Sequence, residues 1–328
     1  MKKCARRRGS NNALFAVCFA HGRCSLLLLP EREEKMHDIA RDSALLSQNK
    51  TLENLFAITC AHGDALAAIW LEGEEQKHWT FAQMEQKACA YAAWLHNRLP
   101  DGGFVAISMD TCKEWFPTFW GLVLSGHNVL LLDAAMNDDL ALHLMNEAGC
   151  RAIVTHKERA LPAEIVQIRA KELFAAPDAA RPNVPCGDSI ALCTSGTTGT
   201  SRIFVYNGEA MAEQVLSSLL LYNANKRIVA NENRRALAFL PFHHVLGFVV
   251  NLMWCGFLGY ANIYLKDRAP KTILTTAQTC KPHLIVAVPL LANNLCTTIK
   301  KKLAKKNRMT RAAFSAMTGL SLNTQRLA

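Results

Sequence analysis

From residue 66 onward, short apolar runs bounded by Gly, Pro, Asn or Asp alternate with longer runs whose apolar side chains recur at three- and four-residue spacing. "LAAIWLEG" and "KHWTF" read as a hairpin. Thr80 with Gln83 makes a capping box, which opens an amphipathic helix expected to reach about Leu99. After the turn at Pro100 to Gly103 come a strand "FVAISM", a helix "KEWFPTFWGLVLSG", a strand "NVLLLD", a helix "DDLALHLMNEAG" and a strand "RAIVTH". That order predicts parallel strands buried on both faces, hence an α/β fold of mostly parallel sheets flanked by helices. Pro117 falls near the first turn of its helix, where proline is tolerated, and Phe116, Phe119 and Trp120 lie at helical spacing as core residues.

Residues 157–187 contain Pro162, Pro177, Pro182 and Pro185 and read as a loose connection. "SIALCTSGTTGTSRIFVYN" then predicts two strands joined by a loop of hydroxyls and glycines. Beyond it the pattern gives a helix from Gly208 to about Asn225, a strand "RALAFL", a helix after Pro241 and a strand "NIYL". A helix "PKTILTTAQTC", a strand "HLIVAVP" and a basic helix from Leu290 follow. The uncharged run from Val245 to Leu265 is long enough to cross a bilayer, for which about 20 residues suffice. Asn251, Asn262 and three glycines interrupt it, so a buried helix followed by a buried strand is expected.

Charge divides the chain. Residues 1–35 hold eight Lys and Arg against three Glu, and residues 296–328 hold eight with no acid. Those ends contribute +5 and +8 to the net +10, leaving −3 on the body between them, which argues against a basic nucleic-acid face there. The N-terminus has the basic start and apolar pieces of a signal peptide, but His21, Gly22 and Arg23 divide the apolar run and no small-residue cleavage site follows "SLLLL". Residues 1–35 are expected to be an unstructured extension upstream of a natural start near Met36, with 36–328 as the folded part. The 12 cysteines form no CxxC pair and no zinc-spaced cluster, the pattern of free thiols in a reducing compartment, and a cytoplasmic protein is expected.

The candidate chemistry lies in "TSGTTGTSRIF", Thr194 to Phe204. Glycine lets successive backbone N–H groups turn toward one point, and Ser and Thr add hydroxyl donors without bulk, so such a loop can surround phosphate oxygens. No GxxxxGK[ST] can be read there, and composition alone favours a solvent-exposed hairpin turn over phosphate binding.

"TSGTTG" behind an apolar strand resembles the phosphate loop of the adenylate-forming enzymes, the superfamily of acyl-CoA synthetases, luciferases and peptide-synthetase adenylation domains. "LPFHHVLGF" at Leu240 to Phe248 resembles that superfamily's Pro-x-x-His-x-x-Gly segment. "HLIVAVPLL" is similar to the strand and Pro that follow it, and "FVAISMDTCKEWFPTFWGLVLSGHNVLLLD" to its upstream strand-helix-strand. Within the superfamily the chain is most similar to bacterial long-chain acyl-CoA synthetase-like proteins. The resemblance covers roughly residues 50–328, the first part of the large domain.

That resemblance implies the substrates and cofactors ATP, Mg2+ and coenzyme A and a small-molecule carboxylic acid, with fatty acids ahead of aryl or amino acids. It implies that Thr194, Ser195, Gly196, Thr197, Thr198 and Gly199 hold the β- and γ-phosphates, and that Arg202 stands where the superfamily usually has Lys. Ser201 stands where it usually has Pro. His244 takes the position of the His at the wall between nucleotide and acyl pocket, and His243 has no such counterpart. The adenine, ribose, hinge and catalytic-Lys segments of the superfamily have no copy before Ala328. A downstream region or second chain is therefore expected to complete the fold, and this portion alone is expected to be inactive. A non-catalytic protein that keeps the nucleotide loop for regulation or partner contact is the alternative. A peripheral membrane contact through the basic ends is a third reading.

Overall fold

The computed structural model describes residues 16–18, 38–100, 102–195, 201–225 and 234–287, with Thr297 and Lys301. Two helices open the folded part, α1 (Ile39–Gln48) and α2 (Leu52–Cys60). The hairpin β2 (Leu66–Glu72) and β3 (Glu75–Thr80) leads into α3 (Phe81–His96). The capping box is present in full: Gln83 N–H donates to the Thr80 hydroxyl and Thr80 N–H to the Gln83 side chain. Then follow β4 (Phe104–Ser108), α4 (Trp115–Leu124), β5 (Asn128–Leu131), α5 (Asp138–Glu147) and β6 (Ala152–Thr155) in the expected order.

Residues 157–187 are less loose than their prolines imply, because they hold β7 (Val166–Arg169), parallel to β6, and the short helix α6 (Ala170–Phe174). A four-residue strand and a five-residue helix are too short to show a period. The hydroxyl-rich segment is a hairpin of β8 (Ser189–Ser195) and β9 (Ser201–Asn207), followed by α7 (Gly208–Ala224). The rest runs β10 (Arg235–Ala238), α8 (Val245–Gly247), a π-helix (Phe248–Trp254), α9 (Cys255–Phe257), β11 (Ala261–Tyr264), α10 (Pro270–Cys280) and β12 (Leu284–Ala287). The uncharged run is thus a buried helix and a buried strand. Among the described residues no helix is long and apolar enough to cross a membrane. In the segment expected to be an extension, Ala16–Cys18 form a strand, β1, beside β12. The basic helix expected from Leu290 lies outside the described residues, apart from two isolated positions.

The strands make two six-stranded sheets, β1-β12-β10-β11-β2-β3 and β7-β6-β4-β5-β8-β9. Within each sheet only the hairpin pairs β2/β3 and β8/β9 are antiparallel. Alternation along each strand assigns the layers. Val105 and Ile107 face a core shared with α2, α3, α4 and α7, while Ala106 between them faces α5 through Leu144 and Met145. In the other sheet Ala236 and Ala238 face the same shared core, and Leu237 packs with Ile273 and Cys280 of α10. The result is five layers, with one helical layer covering the inner faces of both sheets.

Candidate functional site

Parallel α/β sheets bind ligands outside the carboxyl ends of their strands, where the loops leave the sheet. In the second sheet the neighbours β6, β4, β5 and β8 end toward His156, Asp110, Asp133 and Ser195, so these positions line one edge. β5 and β8 pair Leu131 with Leu192, which sets Asp133 level with Thr194. From the first sheet, the loop after β10 brings Leu240 to His244 and the loop after β11 brings Arg268.

The hairpin fixes what the hydroxyl-rich loop can present. Thr194 pairs with Arg202 and Ser195 with Ser201, so the two strands are joined in register up to the loop, with Arg202 one pair from the end. The Arg202 side chain is exposed, free to swing toward an anion. Gly196, Thr197, Thr198 and Gly199 lie outside the described residues.

His244 is exposed and stands at the start of α8, its carbonyl accepting the Phe248 N–H at 2.9 Å. Two contacts pin its loop to the other sheet. Phe242 N–H donates to the Thr111 hydroxyl at 3.2 Å, and the Phe242 ring meets Trp115 edge to face at 5.3 Å. The chain must pass close here: a Cβ on Gly247 would lie 2.2 Å from the Pro241 carbonyl oxygen. Behind the loop, the π-helix is held where Asn262 Nδ2 donates to the Asn251 carbonyl at 2.8 Å, and Asn251 Nδ2 donates to Asn262 Oδ1 at 3.2 Å. Such widened turns recur beside functional sites.

His243 is more deeply placed than its neighbour. Its ring lies 4.2 Å from that of His244, and its Nε2 lies 3.6 Å from Asp133 Oδ2. Burial, with the nearby His244, pushes its imidazole below the usual histidine range, against the pull of Asp133. The loop that carries Asp133 is itself clamped. The Arg159 guanidinium, wholly buried, donates to Asp138 Oδ1 at 2.7 Å, to the carbonyls of Met136 and Ala134, and to Ser108 Oγ. The amide of Ala160, with Arg159, holds the Asp138 carboxyl below its ordinary range.

Sequence reasoning placed Thr194, Ser195, Arg202 and His244 along this edge but missed Asp110, Asp133, His156, Arg159 and Arg268. The signal was available for Asp133. An acid that ends the buried run "NVLLLD" has no place inside a sheet and marks a strand's carboxyl end. Arg159 could not be read, because it sits in a loop of no fixed period. Among the described residues no group of three His, Cys, Asp or Glu side chains could hold a metal ion, and the eight cysteines from Cys60 to Cys280 are free.

The model of the AMP-binding enzyme family matches residues 57–326. The chain belongs to that family. The chain is 21% identical to the long chain acyl-CoA synthetase 8 of Arabidopsis thaliana, over 82% of the chain and 42% of the relative. It is 26% identical to a long-chain-fatty-acid–CoA ligase of Mus musculus, over 42% of the chain and 21% of that relative. It therefore spans less than half the length of the curated relatives it matches. Its fold is that of o-succinylbenzoate CoA synthetase from Bacillus subtilis, solved with an acyl-adenylate intermediate, with a TM-score of 0.62 at 18% identity over 77% of this chain and 65% of that one. It is also that of the N-terminal subdomain of NpsA from Klebsiella oxytoca, with a TM-score of 0.59 at 17% identity over 72% of this chain and 59% of that one. The expected α/β fold and superfamily are thus both found.

Proposed function

We propose that this AMP-binding enzyme takes part in the activation of a carboxylic acid, a fatty acid first among candidates, by ATP and its transfer to coenzyme A. The carboxylate oxygen attacks the α-phosphorus of ATP, the bond to the bridging oxygen breaks, and pyrophosphate leaves. The thiol then displaces AMP from the acyl carbon. Such chemistry asks the protein chiefly to hold anions in line and to neutralise the departing charge. The observation that carries this reading is the β8/β9 hairpin, whose last pairs, Thr194 with Arg202 and Ser195 with Ser201, stand at the carboxyl edge of a mostly parallel sheet with the Arg202 side chain exposed.

In this reading Thr194, Ser195, Gly196, Thr197, Thr198 and Gly199 hold the β- and γ-phosphates, and Arg202 pairs with a phosphate oxygen in place of the usual Lys. Arg keeps the charge and adds a planar fork of donors. Magnesium enters with the triphosphate, whose oxygens are its ligands. His244 forms the wall on the acid side. The names of both curated relatives favour a long-chain acid.

The test is carboxylate-dependent exchange of labelled pyrophosphate into ATP across fatty and aryl acids, on the chain as given and joined to a downstream region. Exchange that follows fatty acids is expected. Arg202→Ala should raise the KM for ATP by about 10- to 150-fold, since a hydrogen bond to a charged group is worth about 1.5–3 kcal/mol. Exchange with aryl acids alone would move the substrate class. ATP binding without exchange in either form would leave the non-catalytic reading.

A further inference from the structure

His243 faces charged groups from both sheets. After β4 stands Asp110, after β5 Asp133, after β11 Arg268, and His244 lies beside it in its own loop. Its Nε2 is buried and has no hydrogen-bond partner among the described residues. Asp133 approaches it in a fixed attitude. Oδ1 accepts the Ala135 N–H at 2.9 Å, and Oδ2 is left facing Nε2 at 3.6 Å. The backbone behind that carboxylate is held in turn, the Asp133 carbonyl lying 3.4 Å from Ser108 Oγ and 3.5 Å from Arg159 Nη2.

A separation of 3.6 Å is longer than a hydrogen bond, so the carboxylate acts by its field. The His243 ring is largely buried while the Asp133 side chain is 45% exposed, so water screens that field in part and the short fixed separation is what keeps it effective. A neutral imidazole carries its proton on one nitrogen, and which one is set by what faces the other groups of the ring. A lone pair turned toward a carboxylate is repelled, whereas an N–H dipole is attracted.

We propose that Asp133 is a positioning residue for the His243–His244 wall: its Oδ2 selects the tautomer of His243 that carries the proton on Nε2, and the ring so held fixes how His244 meets the acid. The last step rests on the reading that the acid binds beside His244. The first does not. Asp133 thereby joins the second sheet to the loop of the first, and the Ala135 N–H keeps the carboxylate from turning away on a backbone that Arg159 clamps.

The experiment is long-range proton–nitrogen spectroscopy of the full chain labelled with 15N-histidine, near pH 7.5 and without ligand. His243 is expected as a single tautomer protonated at Nε2. A wild-type His243 protonated at Nδ1 overturns the proposal, and this needs no variant to fold. Asp133→Ala is expected to abolish the single-tautomer signature and to shift the His244 resonances, whereas Asp139→Asn, an acid on α5, leaves both in place. Unchanged spectra in Asp133→Ala also overturn it. Where acid-dependent exchange is present, Asp133→Asn should raise the KM for the acid several-fold with little change in the KM for ATP. An equal rise in both would refute the acid-side placement. Because the tautomer is read without substrate, absence of exchange would count against the functional reading and leave the Asp133–His243 pairing standing.

Discussion

Gly208 carries no side chain because none would fit. A Cβ there would lie 2.0 Å from Asp188 Oδ1 and 2.8 Å from the Leu52 nitrogen. The same carboxylate accepts the Leu52 N–H at the start of α2 and the Gly208 N–H at the start of α7, so one acid joins two helix starts. Gly208→Ala must push Asp188 off both, and urea unfolding should show a loss of about 1–3 kcal/mol, the usual cost of forcing atoms into a packed site. Asp188→Ala should lose about 2 kcal/mol, two caps at roughly 1 kcal/mol each. His243 bears on pH. Burial pushes its pKa down, from the ordinary 6.5 to about 4. Between those values the unfolded chain binds the extra proton and the folded chain does not, so the contribution is whole above about 6.5 and is lost as pH falls toward about 4. Thermal unfolding should show wild type losing ground to His243→Gln on acidification through that window. A difference between them that stays constant with pH would sink the claim.

At the scale of elements, much was legible, and the failures have physical causes. The helix "PKTILTTAQTC" was read to its residue limits because proline suits the first helical position and an apolar stripe follows. α3 ends at His96 instead of near Leu99, because its last turn gives way to turn backbone whose apolar Leu99 is still buried. The helix α1 is amphipathic but short and only weakly apolar on average, with the polar Asp42 among its buried residues, and it went unread. The β8/β9 hairpin was legible from its composition, yet Arg159, which clamps a neighbouring loop, was not, since it acts at long sequence separation. The π-helix was likewise invisible, for its cause lies in another element: the side chain of Asn262 on β11 takes the Asn251 carbonyl. Asn262→Val removes that donor and leaves Asn251 Nδ2 with only the Leu237 carbonyl at 3.4 Å. Leaving buried polar groups short of partners costs about 1–3 kcal/mol. The variant should fall in stability by that amount, and a change below about 0.5 kcal/mol would show the asparagine pair to be dispensable.

At the scale of the whole molecule, the two sheets share one helical layer, so neither can keep its inner face covered alone. The junction is most concentrated at Phe242, fully buried in the loop after β10. Its ring packs against Trp115 of α4 and against Tyr264 of β11, while Trp115 and Phe119 each meet Phe248 of the π-helix. The same residue gives its N–H to Thr111 of the other sheet's loop, so packing and hydrogen bonding both converge one residue before His243. Truncating a buried phenylalanine to alanine costs about 3–5 kcal/mol, the spread reflecting how far the site can collapse. A cluster of large rigid rings collapses poorly, which argues for the upper part of that range. Phe242→Ala should therefore lower the urea midpoint strongly while leaving the slope of the transition unchanged, because the loss is one of contacts and not of surface exposed on unfolding. Phe242→Leu, which keeps most of the volume, should lose well under half as much. A single transition seen alike by tryptophan emission and far-ultraviolet dichroism is expected for all three proteins. Two separated transitions in the wild type would mean that the sheets unfold independently and that the shared helical layer does not couple them.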